Sequence, residues 1–72
     1  MIDSNKVDVL MTSKGITNRQ MAEDVGISEA MMTYIRQGKR RPGLEIAVLI
    51  AEKLGVTVDD LLRKDGWANN GI

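Results

Sequence analysis

Four basic side chains crowd into six consecutive positions in the middle of the chain. They are Arg36, Lys39, Arg40 and Arg41, and Pro42 follows them directly. Closely spaced cations can neutralise several phosphates of a nucleic-acid backbone, which supplies most sequence-independent affinity for DNA. The same cluster can equally be a solvated loop that keeps a protein soluble. The choice between these interpretations depends on the elements that position the cluster.

The composition excludes several other kinds of chemistry. The 72 residues include no Cys and no His, which excludes disulfides, thiolate or imidazole metal sites and the common nucleophile–His catalysts. A chain of this length forms one small domain without a deep cleft. No phosphate-binding loop of P-loop or Rossmann spacing occurs. We therefore expect a binding protein without enzymatic activity, metal or cofactor.

The charge balance is neutral, but the charges are unevenly distributed. Ten basic residues match ten acidic ones, which taken alone is unlike a typical nucleic-acid-binding domain. The basic cluster shows that the neutral total hides a local patch. The longest apolar run, 46–51, is too short to span a bilayer, and the first residues contain no apolar signal region. The expected location is cytoplasmic.

Short helices should make up the whole fold. Glycines follow segments with helical apolar periodicity, and the alternation typical of strands is absent, so we predict no sheet. The predicted helices begin near Asp3 or Ser4, Thr17, Ser28, Leu44 and Thr57. They end near Lys14, Gly26, Gly38, Leu54 and Leu62. The sequence thus predicts an all-α bundle of about five short helices.

Local signals also predict caps and a core. Thr17 and Gln20 fit the capping box, in which hydroxyl and amide satisfy each other's backbone N–H groups. The residues expected to meet in one cluster are Met21, Ala22, Val25, Met32, Ile35, Ala51 and Leu54. On the fourth helix, the expected core-facing stripe is Leu44, Ala47, Val48, Ile50, Ala51 and Leu54. Ile46 and Leu49 are then surplus apolar residues.

The second and third helices are joined by a tight glycine turn, and here the sequence resembles a known family. The stretches 15–28 (GITNRQMAEDVGIS) and 37–42 (QGKRRP), with the ending 44–62, are similar to the phage Cro/repressor (XRE-type) helix-turn-helix family. The resemblance implies a lambda-repressor-like DNA-binding domain over residues 1–65, with a recognition helix at about 28–37. It leaves 66–72 as a C-terminal tail.

The resemblance also implies which residues would touch DNA. Four residues of the recognition helix are expected to contact base edges: Glu29, Ala30, Thr33 and Tyr34. The residues expected to contact phosphates are Asn18, Arg19, Arg36, Gln37, Lys39, Arg40 and Arg41. Arg36 stands where family members often carry Glu, and it adds a positive charge near the expected DNA face.

Two main functions follow, and both remain open at this point. The first is a phage Cro-like transcriptional regulator that binds double-stranded operator DNA as a homodimer, with half-sites about 34 Å apart. The second is a modulator or antirepressor that binds a companion repressor. The expected protein interface comprises Ile46, Leu49, Lys53 and Trp67, because the surplus apolar face needs a cover. Either the tail folds back over this face through Trp67, or another chain covers it. A third, minor alternative is the DNA-binding part of a toxin–antitoxin or other autoregulated pair.

Overall fold

The first helix shows how local residues set the boundaries of this fold. In the computed structural model, which describes residues 2–62, α1 runs over Ser4–Lys14. The Asp3 carboxylate accepts the backbone N–H of Asn5 at 3.0 Å and so caps the helix start. Gly15 ends α1 in the left-handed region at φ 69°, where glycine carries no side-chain penalty.

The next two helices are short and each begins at a hydroxyl cap. α2 runs over Asn18–Val25 and α3 over Glu29–Arg36. The Thr17 hydroxyl accepts the backbone N–H of Gln20 at 3.1 Å. The predicted capping box is only half formed, because the exposed Gln20 side chain makes no return bond to the backbone N–H of Thr17.

The last two helices close the bundle over the start of the chain. α4 runs over Leu44–Leu54 and α5 over Val58–Leu61. The complete capping box lies at α5, where Thr57 and Asp60 exchange side-chain bonds with each other's backbone N–H at 3.2 and 3.0 Å. Within residues 2–62 the one β pairing is an isolated antiparallel bridge between Ile2 and Leu62. The all-α prediction is confirmed.

One apolar cluster holds the helices together. All seven residues predicted for it lie buried in it, as do four further residues from α1, α4 and α5: Val7, Met11, Ile50 and Leu61. Methionines supply a large part of this core, and their flexible side chains fill irregular gaps between short helices. None of the described helices combines the length and apolar character needed to cross a bilayer.

The covered face of α4 differs from the expected one. Leu44 and Val48 were expected in the core, but they are 75% and 39% exposed. Ile46 and Leu49 were expected to be surplus, but they are half-buried and pack against the core cluster. Apolar residues occur on both flanks of this helix, and the neighbouring helices decide which flank is covered.

The other two residues of the predicted protein interface are Lys53 and Trp67. Lys53 is exposed in the last turn of α4. Trp67 and the rest of the tail lie outside the described residues, and the predicted domain boundary at 65 lies there too. On α4, the exposed large apolar residues are Leu44 and Val48, whereas the predicted interface residues Ile46 and Leu49 are half-buried against the core cluster.

Candidate nucleic-acid interface

A three-residue turn joins α2 to α3 and fixes their relative orientation. Gly26 adopts φ 79°, and the backbone N–H groups of Gly26 and Ile27 both donate to the Ala22 carbonyl. Ser28 then caps α3 by accepting the backbone N–H of Met31 at 3.0 Å. Because no loop of appreciable length separates them, the two helices form one rigid helix-turn-helix unit.

The buried face of α3 determines which side chains point outward. Met32 and Ile35 are buried in the core cluster, which orients the helix about its axis. Glu29 and Ala30 are exposed in the first turn, and Tyr34 is 45% exposed one turn later. Thr33 is half-buried between them. The four predicted readout residues thus share the outer part of one short helix.

Thr33 takes part in a side-chain network that reaches back to α2. Its hydroxyl donates to the Glu29 carbonyl at 3.1 Å and accepts from the Asn18 amide nitrogen at 3.0 Å. The Asn18 amide oxygen accepts from the Arg36 guanidinium at 2.8 Å. Asn18 therefore links two side chains one turn apart on α3 and connects the start of α2 to that helix.

Arg36 continues the network into α1. Its guanidinium donates twice to one Asp8 oxygen, at 2.9 and 2.6 Å, and contacts the Thr12 hydroxyl at 3.3 Å. Only 19% of the Arg36 side chain is exposed, against 48% for Asp8. The residue predicted to add positive charge near the DNA face is paired with a carboxylate and connects three helices.

The loop after α3 carries the exposed cations. Lys39, Arg40 and Arg41 are all exposed, and no carboxylate among residues 2–62 lies within ion-pair distance of them. The backbone N–H groups of Lys39 and Arg40 donate to the Tyr34 carbonyl, which turns the chain sharply at the end of α3. Gln37, next to the turn, is exposed as well. These cations therefore lie directly beside the C-terminal end of α3.

Gly38 allows this turn and lets it lie close to the start of α1. It adopts φ 77°, and a Cβ atom built there would lie 3.0 Å from the Ser4 hydroxyl oxygen. Both the backbone angle and the close approach favour glycine.

Another predicted phosphate residue, Arg19 at the start of α2, is also exposed and forms a 3.6 Å ion pair with Glu23 on the same helix. Exposed pairs of this kind are weak and easily exchanged.

Two partners in this site were missed from the sequence. Asp8 and Thr12 come from α1, and Asp8 lies 28 positions away from Arg36. Helical periodicity does place Asp8 and Thr12 on one face of α1, since they are four residues apart. It gives no indication of which helix that face meets.

Comparison with known proteins agrees with this architecture. The chain matches the Helix-turn-helix family model over residues 10–61, which includes α2 to α5 and the basic loop. The chain belongs to the XRE-type helix-turn-helix family.

Two relatives of this helix-turn-helix protein are named as regulators of transcription. The HTH-type transcriptional activator BcrR of Enterococcus faecalis is 32% identical over 59 residues, which are 82% of this chain and 29% of BcrR. An uncharacterized HTH-type transcriptional regulator of Methanocaldococcus jannaschii is 30% identical over 57 residues, 79% of this chain and 86% of that protein. The helix-turn-helix domain here thus corresponds to less than a third of the first relative and to most of the second.

Proposed function

We propose that the protein is a sequence-specific, DNA-binding transcriptional regulator of the phage Cro-like kind, acting in the cytoplasm on double-stranded operator DNA. The observation that carries the proposal is the juxtaposition of a capped helix, α3, with a basic loop whose cations have no ion-pair partner among residues 2–62. Both belong to a helix-turn-helix family whose named relatives regulate transcription. The sign of regulation is left open.

In this proposal, α3 enters the major groove and presents Glu29, Ala30, Thr33 and Tyr34 to the base edges. A carboxylate can accept from the cytosine N4 amine, and an alanine methyl can contact a thymine methyl. The exposed cations of the loop, with Arg19, Gln37 and the free amide N–H of Asn18, contact phosphates. Those contacts position the domain, and the outward side chains of α3 specify sequence.

A homodimer on an inverted repeat fits this role. A single α3 of 8 residues can contact only a few base pairs, so two copies are needed to define an operator. Two-fold symmetry would then set the half-sites about 34 Å apart. We propose no enzymatic step for this outward-facing site, because its one carboxylate, Glu29, has no nucleophile paired with it among residues 2–62.

The salt dependence of duplex binding tests whether the basic loop contacts phosphates while α3 contacts bases. The joint change Arg40→Ala with Arg41→Ala should weaken binding to every duplex alike. It should also lower the slope of log K against log salt by about 2 per chain, since each phosphate contact contributes about 0.9. The matched control, Lys14→Ala, removes an exposed cation that has no assigned role on DNA. An unchanged slope in the loop variant would contradict the proposed phosphate contacts.

A second candidate function is supported by the exposed part of α4. The protein would then act as a modulator or antirepressor that binds a companion repressor through Leu44 and Val48, with Lys53 on the same helix. Leu44 is 75% and Val48 39% exposed, and their i, i+4 spacing places the two side chains next to each other on one side of α4. The double change Leu44→Ser with Val48→Ser should abolish binding to the companion repressor and leave duplex binding unaffected. If the double variant still bound the repressor, this function would be contradicted.

A further inference from the structure

In the hydrogen-bond network around Arg36, it is fixed which groups donate and which accept. A guanidinium carries only hydrogen-bond donors, so the Asn18 atom that faces Arg36 must be the amide oxygen. The amide nitrogen of Asn18 then faces Thr33 and donates to its hydroxyl oxygen at 3.0 Å. Arg36 therefore sets the orientation of the Asn18 amide, and Asp8 holds Arg36 in place at 2.6 Å.

This direction determines what Thr33 can offer to a base. Its single hydroxyl proton is already donated to the Glu29 carbonyl, and one of its lone pairs accepts from Asn18. The remaining lone pair can accept one more hydrogen bond without disturbing the network. Donation to a base would break the existing bond to Glu29. Thr33 is thus prepared as an acceptor, which suits the exocyclic amine of adenine or cytosine in the major groove.

The charge of Arg36 points to the same conclusion. Its guanidinium is paired with Asp8, mostly buried and engaged by Asn18 and Thr12. A phosphate contact would require it to leave these partners. The exposed cations of the loop have no such competing contact among residues 2–62.

We propose that Arg36 is a positioning residue: through Asn18 it fixes Thr33 as a hydrogen-bond acceptor for a base amine, in place of the phosphate contact that the sequence suggests. This inference rests on the proposed DNA-binding function. It predicts that Arg36 affects which base is preferred at one operator position and leaves the salt dependence of binding unchanged.

Selection of bound duplexes from a random pool, followed by titration of the best duplex and its single-base variants, tests this inference. Thr33→Val should reduce the preference for adenine or cytosine at one position by about fivefold, the equivalent of one hydrogen bond of about 1 kcal/mol. Arg36→Met should relax the same position by roughly two- to fivefold, because the Asn18 amide is then free to turn. The salt slope should stay that of the parent.

Two further variants keep the test decisive. Thr12→Val removes the hydroxyl that Arg36 contacts directly but leaves the Asn18 link intact, so base preference should not change. If Arg36→Met fails to fold by circular dichroism, Asn18→Ala keeps the Asp8–Arg36 pair and should relax the same operator position.

The outcomes separate this inference from the proposed function. Retained base preference with a salt slope lowered by about 1 in Arg36→Met would show a phosphate contact and overturn the inference alone. Unchanged preference in Thr33→Val would overturn it as well, while DNA binding itself would stand. A parent protein that binds no duplex at low salt would overturn both.

Discussion

Two leucines on α4 offer a matched pair for measuring what the core contributes. Leu54 is 1% exposed and lies in the core cluster, whereas Leu44 is 75% exposed at the start of the same helix. Leu54→Ala should lower the free energy of unfolding by about 2–5 kcal/mol, from lost burial and the cavity left behind. A domain of 72 residues has only roughly 4–11 kcal/mol in total. Leu44→Ala should cost less than about 0.5 kcal/mol.

Thermal unfolding followed by circular dichroism measures the difference directly. For a domain of this size, each kcal/mol shifts Tm by about 4–8 °C, so Leu54→Ala should lower Tm by at least about 8 °C. Leu44→Ala should stay within a few degrees of the parent protein. Equal losses in the two variants would mean that Leu44 is buried as Leu54 is, as the core-facing stripe expected from the sequence predicts, and would refute the packing described above.

Two further predictions concern backbone strain and the half-buried flank of α4. Gly38→Ala should destabilise the domain by more than Gly15→Ala. Both glycines have positive φ, with a penalty of about 1–2 kcal/mol for a side chain, but only the Gly38 Cβ would crowd the Ser4 hydroxyl. Equal changes in Tm would argue against this close approach. Ile46→Ser with Leu49→Ser should lower Tm substantially and not simply abolish association, because both side chains pack against the core. A stable, fully folded double variant would contradict this placement.

The features that could be predicted from sequence are those encoded within a few residues. Asp3, Thr17, Ser28 and Thr57 each cap the helix that follows, because a short polar side chain can reach the free N–H groups of the first turn. Apolar periodicity likewise identified the core residues of α2 and α3. These signals need no knowledge of which helices are neighbours.

The features that could not be predicted depend on how helices meet. The pairing of Arg36 with Asp8 joins residues 28 positions apart, and no local pattern specifies it. The choice between the two apolar flanks of α4 depends in the same way on its neighbours. Even the local capping-box pattern has two outcomes: Gln20 makes no return bond at the start of α2, whereas Asp60 makes one at the start of α5. The pattern therefore permits the reciprocal bond without ensuring it.

A chemical-shift titration with duplex DNA shows whether α3 and the basic loop form a DNA-binding surface. Backbone amide resonances of the protein are followed while a duplex chosen by selection is added. The amides of residues 28–41 and of the start of α2 should shift and broaden in proportion to bound DNA, while those of α5 stay in place. If the shifts were confined to α4, or if no amide shifted at any duplex concentration in low salt, α3 and the basic loop would not form a DNA-binding surface.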